Sequence, residues 1–157
     1  MNRAQRRASH YKRAQRRGQY QPPQELDPLR LLDRCRPYAD GDTTVEHLKT
    51  RAAYERLLDG TASTDDFDRV GMALNIAKVR AIAIDETLAD LIERAQDAMN
   101  ACAARYDTRG RFGFDGPGLQ VMAAAMEAHE AITDASSPQQ MVQALREVVK
   151  QIEGAVR

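Results

Sequence analysis

The stretch of sequence that determines the architecture reads STDDFDRVGMALNIAKVRAIAIDETLADLIERAQDAMNACAARY and spans residues 63–106. It carries apolar or small residues at steps of three and four: Phe67, Val70, Leu74, Ala77, Ala81, Ile84, Leu88, Leu91, Ala95, Ala98 and Cys102. Side chains with this spacing share one face of an α-helix. The pattern predicts a buried spine of one long helix or of two nearly collinear helices, with Asp85 as the cap at a second start. A single helix over 65–106 would be about 60 Å long.

Helix start and stop signals occur on both sides of this stretch. Cap residues are present at Thr43 with Glu46, at Ser63 or Thr64, and at Ser137 with Gln140. Gly60 is a typical helix stop, residues 107–118 are rich in glycine, and Pro117 suits the first turn of the following helix. No segment alternates between apolar and polar residues for long enough to form a strand. We therefore predict an all-α, antiparallel helical bundle of about four main helices with one long central helix.

Length and composition indicate one bundle domain preceded by a polar segment. The chain has 157 residues, of which 43% are hydrophobic but only 5% aromatic, so aliphatic side chains must fill the core. Pro22 and Pro23 interrupt any helix and are typical of a stiff linker. Residues 1–24 are predicted to be a flexible basic arm with a proline-containing linker, and residues 25–157 to be the helical bundle domain.

Charge is distributed unevenly along a chain whose formal net charge is zero. Residues 1–20 contain no acidic residue and repeat the motif RAQRR at positions 3–7 and 13–17. Their basic residues are Arg3, Arg6, Arg7, Lys12, Arg13, Arg16 and Arg17. The remaining residues contain 16 basic and 23 acidic side chains. A basic arm on an acidic body indicates a polyanionic partner, and non-specific nucleic-acid binding through these seven residues is the leading interpretation; a solvated tail is the alternative.

The glycine-rich segment is the second candidate binding element. Its glycines permit close approach of a partner, and two arginines and two phenylalanines alternate with them. The predicted partner-binding residues are Arg109, Arg111, Phe112 and Phe114. The competing interpretation is a long connection whose two phenylalanines close one end of the bundle. The segment lacks the GxxxxGK[ST] pattern and a preceding strand, so it is not a phosphate-binding P-loop.

Catalytic and metal-binding patterns are not found in the sequence. His10, His47 and His129 have no cysteine or histidine at ligand spacing, and His129 on an apolar face is typical of a packed core residue. Cys35 and Cys102 are too far apart to suggest a disulfide framework and are expected to be buried free thiols. We therefore predict a non-enzymatic protein without a cofactor or a metal site.

Two segments resemble those of a known group of proteins. Residues 57–67 (LLDGTASTDDF) and residues 110–120 (GRFGFDGPGLQ) are similar to segments of small uncharacterised helical proteins of beta-proteobacteria and their mobile elements. The resemblance covers roughly residues 45–157 and implies a helical fold. It implies no activity and no catalytic residues.

The sequence thus predicts a macromolecule-binding protein and leaves the partner open. Nucleic acid is the first expected partner. The alternative is a protein–protein interaction or inhibitor module of a phage or plasmid, acting through the bundle, with homodimerisation through the spine as one form of it. No stretch approaches the roughly 20 apolar residues of a membrane span, and no apolar segment follows the basic N-terminus, so a cytoplasmic protein without membrane contact is expected.

Overall fold

The computed structural model describes residues 36–39 and 41–155, which form five α-helices. The helices are α1 Thr44–Asp59, α2 Thr64–Ile82, α3 Glu86–Arg109, α4 Gly116–Asp134 and α5 Pro138–Ala155. The described part of the chain contains no strand, so the predicted all-α class is confirmed. It forms five helices where about four were expected. All of it belongs to one compact unit, Asp33–Arg157, whereas the predicted arm and linker lie outside the described residues.

The predicted spine is a helical hairpin, so the expectation of one long central helix is wrong. The Gln96 amide of α3 donates a 2.7 Å hydrogen bond to Asn75 of α2, and Lys78 of α2 pairs with Glu93 of α3 at 3.3 Å. Residue numbers rise along one helix as they fall along the other, so the two helices are antiparallel neighbours rather than collinear. The chain reverses at residues 83–85, where the Asp85 side chain accepts a 2.7 Å hydrogen bond from the backbone N–H of Thr87 and begins α3.

Helix α2 is the central element of the bundle, because it packs against all four other helices. Its buried residues are Val70, Ala73, Leu74, Ala77 and Ala81. The alanines lack bulk and allow neighbouring helices to approach closely. The largest fully buried hydrophobic side chains around α2 are Leu57, Leu74, Ile92, Met122 and Val70. The spacing in the sequence therefore identified the buried face of α2 correctly.

Local cap signals place most of the helix ends. Gly60 ends α1 with a φ of 72°, and Ser63 and Asp66 form a reciprocal capping box at the start of α2. Ser137 and Gln140 exchange equivalent hydrogen bonds at the start of α5, at 2.8 and 3.3 Å. These expectations from the sequence are confirmed.

The start of α1 differs from its expectation. Thr43 makes no side-chain capping hydrogen bond with α1; its hydroxyl instead donates a 2.6 Å hydrogen bond to Asp134 at the end of α4. Val45 and Leu48, the first two apolar residues of α1, are 60% and 62% exposed. The buried face of α1 consists of Thr50, Ala53, Tyr54 and Leu57. Contact with α4 therefore determines which face of α1 is buried, and it leaves the apolar residues of the first turns of α1 exposed.

Candidate functional site: an acidic cleft lined by two histidines

The residues predicted to bind nucleic acid all lie outside the described part of the chain. They are Arg3, Arg6, Arg7, Lys12, Arg13, Arg16 and Arg17. The structure therefore adds no geometry to that prediction.

The predicted partner-binding loop separates into two core residues and two exposed ones. Phe112 is 5% exposed and stacks on Phe67 and on Tyr106, with ring centroids 4.9 and 4.2 Å apart. Phe114 packs partly buried against the same core. Both phenylalanines therefore close one end of the bundle, which is the competing interpretation of the sequence. A partner cannot reach the Phe112 ring without displacing it.

Hydrogen bonds hold this loop against α3. The Arg105 guanidinium donates to the Gly113 carbonyl at 3.2 Å and to the Asp115 carboxylate at 2.6 Å. The Gly113 backbone N–H donates to the sulfur of Cys102 at 3.2 Å, and burial raises the pKa of that thiol. Cys102 is a buried free cysteine, as expected, and Cys35 lies outside the described residues.

Arg109 and Arg111 are the exposed members of the predicted loop. They line an open cleft of about 520 Å³ together with Asp59, Arg105 and Asp115. Two of these five charged groups are carboxylates, and Arg105 already pairs with Asp115. A partner-binding role for the two arginines stays a prediction.

A second cleft lies between α1, α2, α4 and the start of α5. Its volume is about 590 Å³, and it opens to solvent. Its floor and walls include the apolar side chains Met72, Ala73, Ile76 and Met141. Such a concave surface, apolar with a few polar groups, is typical of a ligand site.

The rim of this cleft carries an excess of negative charge. Its carboxylates are Asp42, Glu46, Asp65 and Asp68, and Arg69 is the one cation among the described residues that line it. Glu46 pairs with Lys49 at 2.7 Å, and this hydrogen bond is the main reason that its pKa is lowered; Arg69 lies 3.7 Å away. Within the described part of the chain, Asp65 and Asp68 form no hydrogen bond through their side chains and no ion pair. The rim is therefore suited to a cation.

Two histidines contribute polar groups to the wall of the cleft. On α1, residues that engage α4 recur every fourth position: Thr43, His47 and Arg51. Their partners on α4 are Asp134, which lies 3.7 Å from His47 Nε2, and Glu130, which accepts two hydrogen bonds from the Arg51 guanidinium. This ladder brings the His47 ring to within 6.0 Å of the His129 ring, centroid to centroid.

His129 is neutral at physiological pH. The residue is 7% exposed, and its pKa is lowered to about 4, first because burial disfavours the imidazolium and second because His47 is close. The Thr133 hydroxyl donates its single proton to the His129 carbonyl at 2.8 Å, and its oxygen lies 3.4 Å from His129 Nδ1. Nδ1 thus contacts the Thr133 hydroxyl, whereas Nε2 makes no hydrogen bond with the described residues.

Sequence reasoning missed this cleft because its residues come from four separate helices. His47 and His129 each lack a ligand partner in sequence, and only the packing of α1 on α4 brings them together. The sequence signal that was available is the spacing of Thr43, His47 and Arg51, which puts three polar groups on one helix face. Among the described residues, no group of three or more side chains is arranged to hold a metal ion.

Comparison with protein-family models, with curated proteins and with solved structures gives no significant match for this chain. The resemblance of residues 45–157 to proteins of beta-proteobacteria therefore stays a prediction. The described residues define an all-helical protein with an acidic cleft. Within them, no helix is both long enough and apolar enough to cross a membrane.

Proposed function

We propose that this chain is a non-enzymatic, macromolecule-binding protein that associates with nucleic acid through its basic residues 1–20. The observation that supports the proposal is the separation of charge: seven basic and no acidic residues in that segment, against 16 basic and 23 acidic in residues 21–157. Lysine and arginine side chains neutralise phosphates without reading the base sequence. Binding of this kind is non-specific and sensitive to salt.

Part of the positive charge of the helical body is already neutralised by carboxylates. Several of its cations already pair with carboxylates: Arg51 with Glu130, Arg56 with Asp66, Lys78 with Glu93 and Arg105 with Asp115. Its excess of acidic residues repels a polyanion. Under this proposal the affinity comes from residues 1–20, and the body holds that segment or recruits a second partner.

The proposal predicts a strong dependence on ionic strength. Each phosphate neutralised on duplex DNA contributes about −0.9 to the slope of log K against log salt concentration. Seven such contacts give a slope of up to about −6. The affinity therefore falls steeply between low and physiological salt.

The test uses the full chain and a full-length variant in which all seven basic residues of the segment are replaced by glutamine. Fluorescence anisotropy of labelled duplex DNA and single-stranded RNA is followed at several salt concentrations. A matched control replaces exposed cations of the body outside the predicted partner-binding loop with glutamine: Arg94, Arg146 and Lys150. We expect the first variant to lose binding and the control to keep both affinity and slope. Equal affinity of all three proteins would refute the proposal.

A second candidate function is a protein–protein interaction or inhibitor module of a phage or plasmid. The observation in its favour is a stripe of exposed apolar residues on α5, the α5 stripe: Val142, Leu145, Val149 and Ile152. Their spacing of three, four and three is that of a helix packing on another helix. α5 buries only Ala144 and Val148, and it packs mainly on α2.

This surface differs from the spine that the sequence favoured for homodimerisation. Of the spine residues, Leu74 and Cys102 are fully buried within the bundle, whereas Ile84 is 47% exposed. Sedimentation velocity over a range of concentrations tests the α5 stripe. Leu145→Gln with Ile152→Gln is expected to abolish association, and Val45→Gln with Leu48→Gln on α1 is the matched control. A monomer at all concentrations would exclude self-association through α5.

A further inference from the structure

The cleft between α1, α2, α4 and α5 carries two independent features that favour the same kind of ligand. The first is electrostatic. Asp65 and Asp68 lie in the first turn of α2 without an ion pair among the described residues, and Asp42 and Glu46 face the same opening. Arg69 is the single cation among the described residues that line the cleft, so the rim attracts a positive group.

The second feature is an unpartnered ring nitrogen in the wall of the cleft. His129 Nε2 makes no hydrogen bond with the described residues, and in the neutral tautomer that is protonated at Nδ1 it presents a lone pair. His129 lines the cleft while being 93% buried. Among the described residues, His47 Nε2 is the side-chain atom that is fully enclosed and has no hydrogen-bond partner. His129 Nε2 is not enclosed in this way, so a ligand in the cleft can reach it. An acceptor at this position is stabilised by an N–H donor.

The apolar floor of the cleft favours a ligand whose uncharged part is a hydrocarbon. Met72, Ile76 and Met141 offer contact to a hydrocarbon stem, and methionine adapts its shape to such a stem. A ligand that satisfies all three features has a cationic N–H donor and a short aliphatic chain. A metal ion has neither the donor nor the chain.

We infer that this cleft binds the ammonium group of an aliphatic amine, with the carboxylate rim facing the charge, His129 Nε2 accepting an N–H hydrogen bond and the methionine floor covering the stem. The site is separate from residues 1–20 and does not depend on nucleic-acid binding. The same chemistry is present in a free diamine and in the side chain of a lysine within a peptide.

The experiment titrates the full-length chain, uniformly labelled with ¹⁵N, with three probes. 1,5-Diaminopentane represents the free amine, Nα-acetyl-lysine amide represents the peptide-borne side chain, and 1-pentanol keeps the stem but lacks the charge. Long-range ¹H–¹⁵N spectra report the tautomer and the Nε2 shift of His129 directly. We expect saturable binding of at least one amine, a shift of Nε2, and no saturable binding of 1-pentanol. The stronger amine identifies the source.

Two double variants remove the same charge from different surfaces. Asp65→Asn with Asp68→Asn neutralises the rim and is expected to weaken the amine by roughly tenfold. Asp90→Asn with Asp97→Asn neutralises exposed acids of α3, which does not line the cleft, and is expected to leave the affinity unchanged. Thermal unfolding of both variants verifies that they fold.

Several results would overturn the inference. They are the failure of both amines to saturate at millimolar concentration, equal binding of 1-pentanol, equal loss in the two double variants, or an Nε2 resonance that does not move. The last measurement needs no substitution, so the inference stays testable if the rim variant does not fold. None of these results depends on whether the chain binds DNA or RNA.

Discussion

The imidazole rings of His47 and His129 meet edge to face between α1 and α4, with their centroids 6.0 Å apart. Burial and the proximity of His47 lower the pKa of His129 to about 4, and they outweigh the opposing attraction of Glu130 and Asp134. A proton on His129 is therefore unfavourable in the folded protein but not in the unfolded chain.

This relationship predicts acid sensitivity in a defined pH range. The unfolded chain takes up a proton at His129 near pH 6.5, whereas the folded protein resists it until about pH 4. The contribution of His129 to the free energy of unfolding is therefore complete above pH 6.5. It is lost as the pH falls from about 6.5 to about 4. The loss amounts to about 3 kcal/mol at most. Urea unfolding at intervals between pH 7.5 and pH 4.5 measures it.

A variant isolates the histidine from the carboxylates. His129→Gln cannot titrate, so its stability is expected to be flatter over the same range, although lower at neutral pH. His10→Gln, in residues 1–20, is the control and should retain the slope of the parent chain. The carboxylates whose pKa is lowered, such as Asp66 and Asp115, lose their contribution only at lower pH. An unchanged slope in His129→Gln would contradict the assignment.

Phe112 is expected to be the most important residue of the glycine-rich loop for stability. Its ring fills the end of the bundle between Phe67 and Tyr106. Phe112→Ala should lower the free energy of unfolding by about 3–4 kcal/mol, because it removes a buried ring and both stacking contacts. Phe114→Ala, at a partly buried position, should cost about half as much. Chemical denaturation compares the two variants, and equal losses would show that Phe112 has no special role.

Gly60 and Gly71 give a matched pair of substitutions with opposite signs. Gly60 has a φ of 72°, which an alanine adopts only with strain, so Gly60→Ala should destabilise the fold by about 1 kcal/mol. Gly71 lies inside α2, and a β-carbon there meets no atom within 4 Å. Gly71→Ala should stabilise by about 0.5–1 kcal/mol. Thermal unfolding tests both, and a loss in both variants would be inconsistent with the backbone argument.

Local chemistry explains which parts of the fold were predictable. Gly60, Ser63, Ser137 and Pro117 act within one helical turn, so their effects are visible in the sequence. The chain reversal at residues 83–85 could not be predicted from the sequence, because these residues include neither glycine nor proline. A cap at Asp85 indicates that a new helix begins there, but it does not indicate the direction in which that helix runs.

The candidate site was less predictable than the fold. Its two histidines, four carboxylates and apolar floor come from separate helices, and their proximity depends on the packing of α1 and α5 around α2. The exposure of Val45 and Leu48 also depends on how the helices pack. Contacts of Thr43 and Arg51 with α4 set the rotation of α1, and these long-range contacts leave no periodic signal.

The capping box at the start of α2 gives a sharp final test, because its hydrogen bonds are reciprocal. The backbone N–H of Asp66 donates to Ser63 Oγ at 3.2 Å, and the backbone N–H of Ser63 donates to the Asp66 carboxylate at 2.9 Å. Arg56 of α1 pairs with the same carboxylate and, together with Ser63, holds the pKa of Asp66 well below its usual range. Ser63→Ala removes the acceptor and should cost about 1 kcal/mol. Ser63→Thr keeps a hydroxyl that can accept from the Asp66 N–H and donate to the Asp66 carboxylate, as Ser63 does at 3.0 Å, and it should recover most of the loss. Thr64→Ala, one position inside the helix, should change stability by only a few tenths of a kcal/mol. Urea denaturation of the three variants orders them, and a loss in Thr64→Ala as large as that in Ser63→Ala would place the helix start one residue later than the structure has it.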